Sequence, residues 1–132
     1  MRKNVYLLAA AILSLVFAVV HTWWGVTHAF PGIVALPNPG RANFETSWNQ
    51  VGGTFLVGGI ALLRDAFDSR SSLTVPVLVG SIYAMTFTVF VLLVSTRYPA
   101  VFGRTVPQVT LFAVMLVLIA AGVQQRRLIR GA

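Results

Sequence analysis

The chain has 132 residues and a net charge of +7; 57% of its residues are hydrophobic and only 10% are charged. Soluble domains average about 25% charged residues, so this composition excludes a mainly water-facing surface and indicates a membrane protein. The absence of cysteine excludes disulfides, thiolate metal sites and cysteine nucleophiles.

Four apolar runs follow one another along the chain. About 20 apolar residues in a helix cross the hydrocarbon core of a bilayer. The sequence therefore predicts an all-α fold, a single membrane domain over residues 1–132 that forms an integral membrane four-helix bundle. Its spans are expected at about 5–27, 47–63, 73–95 and 106–123.

Helix starts are indicated by capping and proline positions. Ser47 with Gln50 has the spacing of a capping box at the start of the second helix. Pro76 and Pro107 suit the first turns of the third and fourth helices, where a missing N–H is tolerated. The segment PGIVALPNPGRANFE before Thr46 is predicted to be a loop.

Basic residues are distributed unevenly between the two sides of this arrangement. Seven lie on the side that holds both termini: Arg2, Lys3, Arg64, Arg70, Arg126, Arg127 and Arg130. Three lie on the other side: Arg41, Arg97 and Arg104. Basic residues favour the cytoplasm, which predicts cytoplasmic N and C termini in a multi-pass protein of a cell inner membrane. The basic residues are grouped at the ends of apolar runs rather than along one stripe, which indicates contact with lipid headgroups and not with nucleic acid.

A cleavable signal peptide is the alternative for the N-terminus. Arg2-Lys3 could serve as its basic region and Val16-Phe17-Ala18 as its cleavage site. The apolar run continues beyond Ala18, which favours an uncleaved first span.

The stretch HTWWGVTH, residues 21–28, combines two histidines with two tryptophans. Trp and Tyr concentrate at membrane interfaces, so an outer aromatic belt is expected at Trp23, Trp24, Trp48 and Tyr98, with Tyr6 at the inner interface. His21 and His28 are about 10.5 Å apart along a helix, a poor spacing for binding one metal ion, and no metal site is predicted. We expect His28 to be solvated and His21 to hydrogen-bond to a neighbouring helix.

Other polar side chains are predicted to reach the same outer level as His21. An ionisable group below the headgroups calls for a partner, and the outer mouth offers several. The candidate ligand-binding residues are His21, Glu45, Trp48, Asn49, Gln50, Arg97, Arg104 and Gln108. The alternative is a structural network that ties the outer loops together; no catalytic residue is assigned.

The predicted second span contains GGTFLVGG, with glycines at 52, 53, 58 and 59. Small residues let membrane helices approach closely; the alternative is that they leave room for a flat ligand.

The spans contain hydroxyl groups instead of charges, and we expect each to bond to a carbonyl of its preceding turn: Ser14, Thr54, Ser81, Tyr83, Thr86, Thr88 and Thr110. The absence of charge disfavours a proton-coupled antiporter. Asp65 and Asp68 are predicted to balance the neighbouring Arg64 and Arg70.

Residues 7–63 resemble the DoxX-like group of small four-helix membrane proteins. The resemblance is carried by the histidine-containing aromatic end of helix one, the following loop, and the segment ETSWNQVGGTFLVGGIALL. By position, Glu45, Gly52, Gly53 and Gly59 correspond to that group's glutamate and glycine-rich helix. The resemblance implies a four-helix bundle and, for some members, an association with quinone-linked redox systems.

These observations predict a binding or accessory subunit for a quinone or another lipid-like ligand at the outer membrane face. Its expected partners are membrane lipids and a larger membrane complex or a second copy. The alternatives are a quinone-linked oxidoreductase that uses His21 or Glu45 in proton transfer and a transporter of an uncharged amphiphile.

Overall fold

The computed structural model describes residues 3–68 and 72–131. These residues form four long helices: α1 (Val5–Trp24), α2 (Asn38–Phe67), α3 (Thr74–Arg97) and α4 (Val106–Gly131). The predicted all-α, four-helix architecture is confirmed. Arg2 and Arg70, which entered the prediction of orientation, lie outside the described residues, as does the side chain of Arg130.

The connection between α1 and α2 is largely helical. A π-helical turn at Gly25–Ala29 and a helical turn at Phe30–Gly32 extend α1. In the π-turn the Phe30 N–H bonds to the Gly25 carbonyl five residues back, and the next residue, Pro31, has no N–H to donate. Residues 31–32 and 38–45 are helical, so the prediction of a loop from residue 31 to residue 45 is wrong over most of that range.

The predicted capping box at Ser47 is also wrong, because α2 begins at Asn38. Pro39 lies in the first turn of α2, a position where the fixed φ angle of proline suits a helix and its missing N–H is not needed. The same rule holds as predicted at Pro76 and Pro107, which lie in the first turns of α3 and α4. Ser47 is thus an interior residue of a 30-residue helix.

Consecutive helices of the bundle run in opposite directions. The Asn4 N–H bonds to the Ala66 carbonyl at 3.0 Å, and Asn4 Nδ2 bonds to the Gly122 carbonyl at 2.8 Å. The start of α1 therefore meets the ends of α2 and α4. We call this the terminal end of the bundle, and the opposite end, which holds His21, Trp48 and Arg97, the loop end.

The outer surface of the bundle is apolar. Among the described residues, three helical segments are long and apolar enough to cross a membrane: Val5–Gly32, Thr74–Arg97 and Phe102–Ile129. α2, which contains the predicted second span at 47–63, is not one of them. Large side chains on these helices and on α2 face outward, among them Val19, Val57, Met85 and Val117, each at least 65% exposed. Such a surface is stable against lipid and not against water, as expected of a membrane protein.

The core combines Leu7 and several small residues of α1 with large residues of the other helices. Fully buried side chains include Ala11 and Leu7 on α1, Phe55 on α2, Tyr83 on α3 and Met115 on α4. Aromatic rings from three helices meet at its centre, where Phe55 lies 4.6 Å from Tyr83 and 5.0 Å from Phe112 between ring centroids. The core therefore joins all four helices.

Three of the five glycines in α2, all within GGTFLVGG, lie at helix contacts. A Cβ atom on Gly59 would be 2.9 Å from Leu15, and one on Gly52 would be 3.1 Å from Thr22 Oγ1, so both pack against α1. A Cβ on Gly58 would overlap the Tyr83 side chain of α3. Close packing explains these glycines, whereas a Cβ on Gly53 would meet no atom within 4 Å.

A buried ion pair joins α2 to α4 at the terminal end. Arg126 Nη1 lies 2.6 Å from Asp65 Oδ2, and Asp65 is only 3% exposed. Arg126 Nη2 also donates to the backbone carbonyls of Asp65 and, at 3.3 Å, of Asp68. The prediction that Asp65 balances its neighbour Arg64 is thus wrong, because successive helical residues point in different directions and Asp65 faces α4.

Candidate functional site

His21 of α1 and Trp48 of α2 form a reciprocal pair near the loop end. His21 Nε2 lies 3.2 Å from the Trp48 carbonyl, and Trp48 Nε1 donates to the His21 carbonyl at 3.0 Å. The two rings are stacked, with centroids 4.2 Å apart and planes 7° from parallel. Because a carbonyl only accepts, Nε2 carries the proton in this hydrogen bond; in the neutral imidazole, Nδ1 is then an acceptor. The expected hydrogen bond from His21 to a neighbouring helix is present.

Further aromatic rings surround this pair. Phe17 stacks on His21 at 5.5 Å, and Phe44 and Phe30 lie 5.6 Å and 6.4 Å from Trp48 between ring centroids. Gly25 makes room for the indole, since a Cβ there would overlap Trp48. The surroundings of His21 are thus built from α1, its extension and α2.

Three more candidate residues on α2 have local partners. The Glu45 carboxylate pairs with Arg41 Nε at 2.7 Å, one turn earlier on the same helix. Asn49 is exposed and donates to the Glu45 carbonyl at 2.8 Å. Gln50 is exposed, and its backbone carbonyl, not its side-chain amide, accepts a bond from Thr54 Oγ1 at 2.8 Å. Glu45 and Asn49 therefore make hydrogen bonds within α2.

The candidates from the other hairpin lie apart from this cluster. Arg97 is the last residue of α3, Arg104 lies in the 3₁₀ segment Pro99–Thr105, and Gln108 lies in the first turn of α4. All three side chains are exposed. Across residues 3–68 and 72–131, no hydrogen bond or ion pair joins them to His21 or Trp48. Of the eight candidates, the structure brings together His21 and Trp48.

His28 forms a second stack on the outside of the loop end. Its ring lies 4.1 Å from Trp24 and 9° from parallel, and its Nδ1 is 2.6 Å from Thr27 Oγ1. His28 and both neighbouring tryptophans, Trp23 and Trp24, are exposed. Within the described part of the chain, no group of three His, Asp or Glu residues could hold a metal ion.

An open groove separates α2 from α3, and its volume is about 760 Å³. Its α2 wall contains one of the candidate residues, Gln50, followed by Gly53, Thr54, Val57, Gly58 and Ala61. The α3 wall consists of Val75, Leu78, Val79, Ile82 and Tyr83. The groove is thus apolar along most of its length, with Gln50 nearest the loop end. Gly53 and Gly58 have no side chains that would project from α2 into the groove.

A buried hydroxyl cluster behind the groove joins three helices. Ser14 Oγ donates to the Phe55 carbonyl at 2.9 Å and is hydrogen-bonded to the Tyr83 hydroxyl. The Tyr83 hydroxyl oxygen also lies 3.3 Å from the Phe55 carbonyl oxygen, while its single proton is available for the bond to Ser14 Oγ. Thr54, Thr86 and Thr88 bond to the preceding turn as expected. The same expectation is wrong for Ser14 and Tyr83, which bond across helices.

The structural roles of Asn4 and Arg126 at the terminal end were not predicted from the sequence. Asn4 caps α1 by accepting from the Leu7 N–H at 3.1 Å while it bonds to α2 and α4. Its position just before the first apolar run was the available signal for a cap. No comparable signal links Arg126 to Asp65, because the two are separated by 61 residues.

No family model, curated protein or solved structure matches this chain. The DoxX-like resemblance of residues 7–63 stays a prediction.

Proposed function

We propose that the protein is a multi-pass protein of a cell inner membrane that acts as a binding or accessory subunit for a lipid-like ligand. Its apolar helices support the membrane location. Lys3, Arg64, Arg126 and Arg127 belong to the terminal end, whereas Arg41, Arg97 and Arg104 belong to the loop end. This excess of basic residues supports a cytoplasmic terminal end.

The groove between α2 and α3 carries the proposal. Ligand sites are typically concave and apolar with few polar groups, and the groove has apolar walls with Gln50 and the Thr54 hydroxyl toward one end. An elongated apolar ligand, such as a quinone tail or a lipid chain, suits this shape.

The contacts of His21 and Glu45 favour binding over catalysis. His21 Nε2 is held by the Trp48 carbonyl, and the Glu45 carboxylate is held by Arg41. A group that transfers protons to a quinone needs to reach the reacting oxygen, and neither side chain lines the groove between α2 and α3. The hydrogen bonds and stacking of His21 and Trp48 instead suit a fixed support for the loop end.

The experiment is ligand retention by protein purified in a mild detergent from its membrane. Val57→Trp would fill the groove, since Val57 lines it and is 68% exposed. Val117→Trp on α4 is the matched control, because Val117 is 67% exposed and lies outside the groove. We expect the first variant to lose co-purifying quinone or lipid and the control to retain it. Equal retention by both would contradict the proposal.

The accessory role is tested separately by the partners that co-purify. Co-purification of the protein with a larger membrane complex at a fixed stoichiometry would support the accessory role. Quinone oxidation or reduction by the purified protein alone would support the oxidoreductase alternative instead, and movement of an uncharged amphiphile across sealed vesicles would support a transporter.

A further inference from the structure

Arg64 extends the groove-lining face of α2 beyond the end of the groove. Val57 and Ala61 line the groove, and Arg64 follows Val57 by seven residues, about two helical turns. Arg64 therefore lies on the same face of α2 as Val57, about one turn beyond Ala61 in the direction of the terminal end. Its side chain is exposed, and among the described residues no ion pair involves it.

The N-terminus of α3 adds positive potential at the same end of the groove. Val75, the second residue of α3, lines the groove opposite Ala61. The first turn of α3 contains no acidic residue, so no side-chain carboxylate within that turn offsets the positive end of the helix dipole. The nearby carboxylate of Asp65 is neutralised by Arg126 on the α4 side. The other acidic residue at this end is Asp68, which follows the last residue of α2 and whose backbone carbonyl accepts a bond from Arg126 Nη2 at 3.3 Å. Arg64 and the N-terminal end of α3 are therefore the positive groups that flank this end of the groove.

The length of the groove corresponds to one leaflet. Its α2 wall runs from Gln50 to Ala61, which spans about 16 Å at the rise of an α-helix. The hydrocarbon core of a bilayer is about 30 Å thick, so the groove is about as long as one leaflet is deep. An acyl chain lying in it would place its own headgroup beside Arg64.

We infer that the groove binds an anionic phospholipid of the leaflet at the terminal end. One acyl chain lies between α2 and α3, and the phosphate group is bound by Arg64 and by the N-terminal end of α3. Guanidinium groups bind phosphate oxygens through two parallel hydrogen bonds. This inference rests on the proposed lipid-binding function and adds to it the ligand class and the position of the headgroup.

The test is lipid retention after reconstitution in nanodiscs that contain equal amounts of phosphatidylglycerol and phosphatidylcholine. The full chain is re-extracted in mild detergent, and each lipid bound per protein is measured by mass spectrometry. We expect the wild-type protein to retain phosphatidylglycerol in preference. Arg64→Gln should lower that preference by about fivefold, which is the contribution of one basic residue at a membrane surface. Arg127→Gln, an exposed arginine of α4 near the same end, should leave it unchanged.

Two results would overturn the inference: an unchanged preference in Arg64→Gln, or an equal loss in Arg127→Gln. Val57→Trp separates this failure from failure of the proposed function. If Val57→Trp loses both lipids while Arg64→Gln keeps the preference, the groove binds lipid but Arg64 does not select its headgroup. If Val57→Trp retains both lipids, lipid binding in the groove is itself refuted. Circular dichroism of each variant establishes that the helices are intact.

Discussion

The indole N–H of Trp48 donates to the His21 carbonyl while the imidazole of His21 bonds to the Trp48 carbonyl. The two hydrogen bonds and the stacked rings join α1 to α2 near the loop end. Neighbouring contacts come from Phe17 and from Gly25, which has no side chain to obstruct the indole. This pair is therefore expected to stabilise the loop end of the bundle.

Trp48→Phe tests that expectation, because it keeps an aromatic ring but removes the hydrogen bond to His21. We expect the free energy of unfolding to fall by about 0.6–1 kcal/mol, measured by denaturant titration in micelles with circular dichroism. Trp23→Phe is the control, since Trp23 is 57% exposed. An equal loss in the control would show that the hydrogen bond contributes nothing specific.

Gly58→Ala and Gly53→Ala form a matched pair on α2. The new methyl group at Gly58 would overlap the buried Tyr83 side chain, whereas the one at Gly53 meets no atom within 4 Å. We expect Gly58→Ala to destabilise the fold by about 1–3 kcal/mol. Gly53→Ala should be neutral or stabilising by up to about 1 kcal/mol, because alanine favours the helix. The same denaturant titration measures both, and the opposite ranking would refute the assigned contacts.

Arg126→Gln removes one partner of the buried ion pair and leaves Asp65 with an uncompensated charge. Because Asp65 is 3% exposed, we expect a loss of about 3 kcal/mol in the free energy of unfolding. Arg127→Gln changes an exposed neighbour and should shift stability by less than about 0.5 kcal/mol. A double-mutant cycle with Asp65→Asn isolates the pair; additive effects would contradict the coupling.

Asn4→Ala removes the cap of α1 and the bonds that its side chain makes to Leu7 and Gly122. Loss of an N-cap costs about 1 kcal/mol, and loss of the bond to α4 adds to it. Asn4→Ser keeps an acceptor for the cap but has no amide to donate to the Gly122 carbonyl, so its loss should be smaller. Thermal unfolding followed by circular dichroism compares both variants with the wild-type protein; a midpoint for Asn4→Ser equal to the wild-type midpoint would exclude a contribution from the bond to α4.

Membrane orientation can be measured by labelling single cysteines, since the chain has none of its own. Lys3→Cys and Arg127→Cys report on the terminal end, and Gly40→Cys and Gly103→Cys report on the loop end, where an added Cβ meets nothing within 4 Å. A membrane-impermeant maleimide applied outside intact spheroplasts should label only the loop-end cysteines. Labelling of Lys3→Cys or Arg127→Cys would reverse the proposed orientation.

Helix boundaries illustrate the limits of local sequence patterns. Pro76 and Pro107 indicated helix starts correctly, because proline in a first turn is a local effect of the backbone. The same effect applies at Pro39, but there the run of prolines and glycines predicts a loop, and this prediction is wrong because α2 begins at Asn38. Ser47 and Gln50 have the spacing of a capping box, but a helix already under way has no unpaired N–H group for Ser47 to cap.

Within the candidate site, the sequence predicted that His21 needs a partner on another helix, since an ionisable side chain among apolar residues must be hydrogen-bonded. It could not identify the Trp48 carbonyl, which lies 27 residues away. The groove also depends on tertiary structure, because the spacing of α2 and α3 decides whether Gly53 and Gly58 border empty space or a neighbour.

The sequence alone determined that the chain is helical and has an apolar outer surface, because hydrophobicity and helix length are properties of consecutive residues. Only the tertiary structure decided that Asp65 pairs with Arg126 rather than Arg64, and that Ser14 bonds to Tyr83, 69 residues away. These contacts depend on how whole helices are rotated against one another. Rotation is set by close packing of small and large side chains at the helix interfaces, which no single segment encodes.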